Sequence, residues 1–88
     1  MLFMIIEHFK DVAGIGERFR TKGRMLPEGV SYVASWVEPA RHRCFQLMEC
    51  DDATVIDQWI AQWNDLVAFE VIPVRTSAEA AKEIAPLL

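Results

Sequence analysis

The chain has 88 residues, 52% of them hydrophobic and 25% charged, with a net charge of −4. That length holds one domain exposing about 5,300 Å² when folded, and the apolar content excludes intrinsic disorder. With 13 acidic against 9 basic residues there is no basic footprint for nucleic acid; the densest positive run, Arg18, Arg20, Lys22 and Arg24, suits a helix flank.

Residues Leu2 to Phe9 (LFMIIEHF) are almost continuously apolar, which predicts a central strand buried on both faces. The period then changes. Val12, Ile15 and Phe19 recur at helical spacing, predicting an amphipathic helix over Val12–Arg24. Asp11 is placed to cap it, and Gly14 and Gly16 weaken its first turn. Met25-Leu26-Pro27-Glu28-Gly29 turns the chain. Val30–Glu38 (VSYVASWVE) and Arg41–Glu49 (RHRCFQLME) read as two strands joined at Pro39-Ala40 in a hairpin.

Asp51 or Asp52 can cap a second helix whose apolar face is Val55, Ile56, Trp59, Ile60 and Trp63. Val67–Val74 (VAFEVIPV) reads as a fourth strand, and Pro73, which has no N–H to donate, places it at a sheet edge. Thr76 followed by Glu79 is a capping-box pattern opening a short Ala-rich helix that stops at Pro86. The order β-α-β-β-α-β plus a C-terminal helix predicts a ferredoxin-like α+β domain spanning residues 1–88. The first and third strands are expected at its centre, running parallel, with His8 and His42 at opposite ends.

Two helices cover one side of such a sheet. The other side should be polar in a monomer, yet both parities of the strands are apolar: Leu2, Met4 and Ile6 alternate with Phe3 and Ile5, and Tyr32, Ala34 and Trp36 with Val33 and Val37. The second face therefore needs a cover, and a homodimer with sheets packed face to face supplies it. The third helix folding back is the competing cover. Cys44 and Cys50 lie along one extended segment, too far apart to bridge, which places the protein in a reducing, cytoplasmic setting. The run Met1–Ile6 is too short for a signal peptide or a membrane span.

No nucleotide, redox or metalloprotease motif occurs, so no cofactor and no metal is expected. The anomalies are polar groups within apolar strands. Gln46 sits between Phe45 and Leu47, Glu70 interrupts the fourth strand, and Glu7 and His8 end the first. Tyr32 and Trp36 are read as sharing one face. These residues can line a small pocket between the sheet and a partner subunit. His8 is the candidate proton carrier, and Tyr32, Trp36, Gln46 and Glu70 are the candidate ligand contacts. Arg24 pairs with Glu28, or attracts an acidic ligand at a cavity mouth. The competing readings are structural: Gln46, Tyr32 and Trp36 as interface residues, Trp59, Trp63 and Cys44 as core.

The blocks MLFMIIEHF, ERFRTKGRMLPEG, SYVASWVE, RCFQLMECDD and FEVIPV resemble a bacterial family of short proteins known only as a domain of unknown function. The resemblance covers nearly all of residues 1–76 and is similar in turn to the dimeric α/β-barrel superfamily, in which two ferredoxin-like subunits join their sheets. That superfamily includes cofactor-free monooxygenases, haem-degrading enzymes and lactone isomerases. The haem-degrading members use an Asn, Trp and His constellation; here the only asparagine, Asn64, falls on the second helix without a supporting histidine. The superfamily's range of activities does not choose among these. The resemblance together with the polar residues above gives as first reading a small homodimeric domain that binds a small organic ligand between sheet and partner subunit, or only assembles. The alternatives are a cofactor-independent monooxygenase or isomerase acting on an aromatic or lactone-like substrate, or a protein-interaction module.

Overall fold

Each element starts where its side chains satisfy the backbone. The computed structural model covers residues 1–88, and its first strand, β1, is Leu2–Phe9. Asp11 follows in an extended conformation, and its carboxylate accepts the Gly14 N–H at 2.9 Å, opening α1, Val12–Lys22. Gly14 leaves room for that cap, because a Cβ at that position would meet Asp11 Oδ2 at 2.7 Å and push the carboxylate aside. The helix start is therefore regular. Strands β2 (Val30–Val37) and β3 (Arg43–Cys50) form the expected hairpin.

Helix α2 is shorter than its apolar stripe, spanning Thr54–Ile60. Asp52 Oδ1 accepts from the Thr54 N–H at 2.9 Å and from the Thr54 hydroxyl at 2.7 Å, which sets the helix entry. Beyond Ile60 the bonding tightens to three-residue turns: Gln62 to Trp59 and Trp63 to Ile60. Trp63 and Asn64 therefore sit in turns rather than on the helix. Strand β4 is Val67–Val74. After it the Thr76 hydroxyl accepts the Glu79 N–H at 3.1 Å and opens α3, Ser77–Ile84, followed by a 3₁₀ turn containing Pro86.

The strands form one antiparallel sheet in the order β2-β3-β1-β4, the ferredoxin-like arrangement. The edges are β2 and β4, as expected, with Pro73 on the latter. The central strands β1 and β3 run antiparallel, not parallel. His8 consequently lies opposite Arg43, and the Phe9 N–H donates to the His42 carbonyl at 2.9 Å. Both histidines are thus at the same end of the sheet. The reason lies in connectivity: a helical crossover keeps β1 and β2 parallel, and the hairpin then reverses β3.

A bulge in β2 changes which residues share a face. The register with β3 runs Tyr32 to Met48 and then Ala34 to Leu47, leaving Val33 as the extra residue. Tyr32 and Ser35 fall on the helix-covered side, where their hydroxyls lie 2.7 Å apart. Trp36, opposite Phe45, falls on the other side. The expectation that Tyr32 and Trp36 share a face is overturned by this single inserted residue.

The core lies between the sheet and α2. Phe3, Ile5, Met48 and Cys50 pack with Ile56, Trp59 and Trp63, all buried. Trp59 is 1% exposed and meets Phe69 edge-on, ring centroids 5.4 Å apart. The indole N–H groups of Trp59 and Trp63 both donate to the Arg24 carbonyl, at 3.0 and 3.1 Å. Two tryptophans thereby hold the loop after α1 against the core. Cys44 and Cys50 are buried free thiols on β3.

Helix α1 behaves differently. It has no fully buried residue; Ile15 is half-buried and Phe19 exposed. Its anchor is polar: Arg18 forms a bidentate pair with Asp65, both bonds 2.7 Å, and donates to the Gln62 carbonyl at 3.0 Å. Ile15 packs against the core, and beside it a cleft remains between α1 and the sheet. Helix α3 is exposed along nearly its whole length and does not cover the second face of the sheet. No helix is long and apolar enough to cross a membrane.

Candidate functional site

The alternation of β1 and β3 delivers an unusual set of side chains to the space under α1. On β1 the helix-facing positions are Phe3, Ile5, Glu7 and Phe9, and on β3 they are Cys44, Gln46, Met48 and Cys50. Two of these, Glu7 and Gln46, are polar, and they come from neighbouring central strands. With Arg24, Ser35 and Cys44 they form the polar part of a cleft of about 180 Å³. Its walls are Phe9, Ile15, Phe19, Val37 and Trp63. Cavities of about 150 Å³ accept a benzene ring, so this cleft is of ligand size.

Arg24 organises the cleft. Its guanidinium lies over the Tyr32 ring at 3.9 Å and near the Phe19 ring at 5.4 Å. Nε donates to Gln46 Oε1 at 3.2 Å, and Nη2 reaches Ser35 Oγ at 3.5 Å. Gln46 is only 3% exposed, and its amide nitrogen contacts Met48 Sδ at 3.2 Å. Its hydrogen bonds are therefore made inside the chain and not across an interface. The expected ion pair of Arg24 with Glu28 does not form.

Glu7 sits directly opposite Cys44. Burial pushes its carboxyl above the ordinary 4.5, and the interactions with the Cys44 thiol and the Arg24 charge pull it back only in part. Burial, reinforced by Glu7, pushes the Cys44 thiol up to about 12. Cys44 is thus a protonated, unreactive thiol at neutral pH, in keeping with its expected core role. Glu7 was singled out in the sequence only as a strand end. Its signal was parity, since it shares a face with Phe3 and Ile5.

The expected site residues divide between the two faces of the sheet. Arg24, Tyr32 and Gln46 meet at the cleft under α1. His8, Trp36 and Glu70 lie on the open face, where His8 Nε2 and Glu70 Oε2 are 2.5 Å apart and both side chains are solvent-accessible. His8 and Gln46 therefore do not face one pocket. The open face itself is apolar at its centre, with Met4, Ile6, Phe45, Leu47 and Ile72, and Trp36 is 56% exposed. Charged residues rim it: Arg43 paired with Glu38, Glu49, and the His8–Glu70 pair. Nowhere do three or more His, Cys, Asp or Glu side chains group to hold a metal.

A larger hollow of about 840 Å³ lies where α3 leaves the sheet, lined by Met1, Leu2, Glu49, Pro73, Val74, Arg75 and Glu79. None of these side chains is buried, so the hollow is an open crook between two elements whose charged groups, Glu49, Arg75 and Glu79, stand in solvent. The smaller cleft is the better candidate.

The fold and cleft define a small ferredoxin-like α+β domain with one helix-covered and one open sheet face. The whole chain, residues 1–88, matches the DUF3303 family, a domain of unknown function, and the protein belongs to that family. The match includes the Ala-rich tail. Comparison with curated proteins and with solved structures gives no match.

Proposed function

We propose that this protein binds a small organic ligand in the cleft between α1 and the sheet, and that it assembles as a homodimer through the open face. The observation that carries the ligand reading is the cleft itself. Polar groups from four separate segments, Glu7, Arg24, Ser35 and Gln46, converge among aromatic walls, and the helix above them buries no residue fully. A structural core has no use for a half-buried guanidinium beside an unfilled space. The ligand site lies within one subunit under α1, rather than between sheet and partner.

The dimer reading rests on area and anatomy. The chain exposes 5893 Å², on the order of 600 Å² more than a monomer of its size. One side of a standard interface buries about 800 Å². An apolar centre with a charged rim is how such interfaces are built, and α3 leaves this one uncovered. A monooxygenase or isomerase reading needs a base in the cleft. His8 is on the other face, and Glu7 is the only carboxyl at hand, so binding is the better-supported activity. A protein-interaction module predicts an apolar patch still exposed after dimerisation.

An NMR fragment screen on the labelled protein tests the ligand reading. Small ring compounds should shift the signals of Phe19, Val37, Gln46 and Trp63 together. Shifts confined to the open face, or none from any ring compound, would overturn it.

A further inference from the structure

We infer that the ligand of the cleft is a compact, flat carboxylate, with its oxyanion on the Arg24 guanidinium and its ring among the aromatic walls. This rests on the cleft being a ligand site, and it adds the charge and shape of what binds there.

The argument starts from the arginines. Arg18, Arg20, Arg43 and Arg75 each hold a carboxylate. Arg41 lies exposed in the β2–β3 turn. Arg24 alone is half-buried without an acidic partner. Its contacts are neutral: the Gln46 amide oxygen, the Ser35 hydroxyl and two aromatic rings. Nε is occupied by Gln46 and one Nη2 hydrogen by Ser35, while Nη1 bonds to no protein atom yet is not a buried orphan. The guanidinium thus keeps an edge with free donors on both terminal nitrogens, beside the cleft that Arg24 lines. That edge matches the two oxygens of a carboxylate.

Two features keep the site free for an incoming anion. Glu7 lines the same cleft but forms no ion pair with Arg24, so no carboxylate of the chain takes the free guanidinium donors. The guanidinium is also held in place before any ligand arrives, stacked on Tyr32 and tied to a buried amide, so little ordering is left for binding to impose. The shape follows from the walls. Phe9, Phe19 and Trp63 offer aromatic surfaces in about 180 Å³, room for one ring and a substituent.

The test compares benzoate with benzamide, which has nearly the same shape and no charge, on the full chain at neutral pH. Binding is read from the Trp63 indole and Arg24 Nε–H signals. Benzoate should bind about tenfold or more tightly than benzamide. Arg24→Met should reduce that preference to about one. The tryptophan bonds to the Arg24 carbonyl use the backbone and survive the substitution, so unchanged Trp59 signals report an intact fold. Arg24→Gln is the second variant should the first unfold, and the wild-type comparison decides the charge question without either. Equal affinities, or a preference that persists in a folded Arg24 variant, overturn the inference while leaving the cleft a ligand site. Failure of both compounds to bind would overturn the inference and count against the ligand reading as well.

Discussion

The two faces of the sheet are made from the same strands but have different chemistry. Every buried strand residue, Gln46 included, lies on the helix-covered face. The open face is apolar at its centre, polar only at its rim, and has nothing packed on it. On one face the apolar residues hold the chain together; on the other they satisfy nothing within the chain. A tryptophan on the first face is therefore a fold residue, and a tryptophan on the second is free for assembly.

Paired substitutions expose that contrast most strongly. Trp59→Ala removes a side chain that is 1% exposed and bonded to the Arg24 carbonyl, and should cost about 3–5 kcal/mol. In a domain whose whole stability is about 5–15 kcal/mol, cooperative urea unfolding should weaken severely or vanish. Trp36→Ala, at 56% exposure, should change the stability of the dilute monomer by only about 0.5 kcal/mol. Comparable losses from the two substitutions would show that the open face is covered by its own chain.

Next in size is the effect on assembly. Leu47 lies between Met4 and Ala34 near the centre of the open face. Leu47→Lys places a charge in a symmetric apolar contact and should weaken the dimer by at least about 2 kcal/mol. Light scattering should show a dimer for the wild type and a folded monomer for the variant. A wild type that is monomeric at micromolar concentration would break the assembly half of the account.

The smallest effect concerns Glu7. Its carboxyl titrates above the ordinary 4.5 because burial disfavours the charge. The folded state thus favours the acid form, and the stability this gives is present in acid and lost as pH rises through the raised pKa. Glu7→Gln should match the wild type below about pH 4 and become the more stable of the two as pH rises toward neutrality. Urea melts across that range check it. A difference independent of pH would mean that Glu7 is solvated.

Most of this architecture was legible in the sequence because each element carries its own local cause. Asp11 and Thr76 with Glu79 mark helix starts, Pro73 marks an edge, and apolar residues on both parities of β1 match a sheet with one helix-covered face and one apolar open face. The grouping of the site was not legible. The bulge at Val33 moves Tyr32 and Trp36 to opposite sides, and no turn residue or glycine in VSYVASWV signals it. The antiparallel centre, which brings His8 beside Arg43 where a parallel pair is expected from the sequence, follows from the connectivity of the fold. The polarity of Gln46 was visible, but its partner Arg24 comes from a loop 22 residues away. The bonds of Trp59 and Trp63 to the Arg24 carbonyl, with Met25 and Leu26 packed on the core, bring that loop over β3.

The three tryptophans make the division of the two faces measurable in one spectrum. Trp36 reports the open face, Trp63 the cleft and Trp59 the core. Benzoate should move the Trp63 indole signal and leave Trp36 unchanged, whereas dilution through the dimer range should move Trp36 and leave Trp63 unchanged. Benzoate shifting Trp36 instead of Trp63, or dilution leaving Trp36 fixed, would contradict the assignment of ligand to one face and partner to the other.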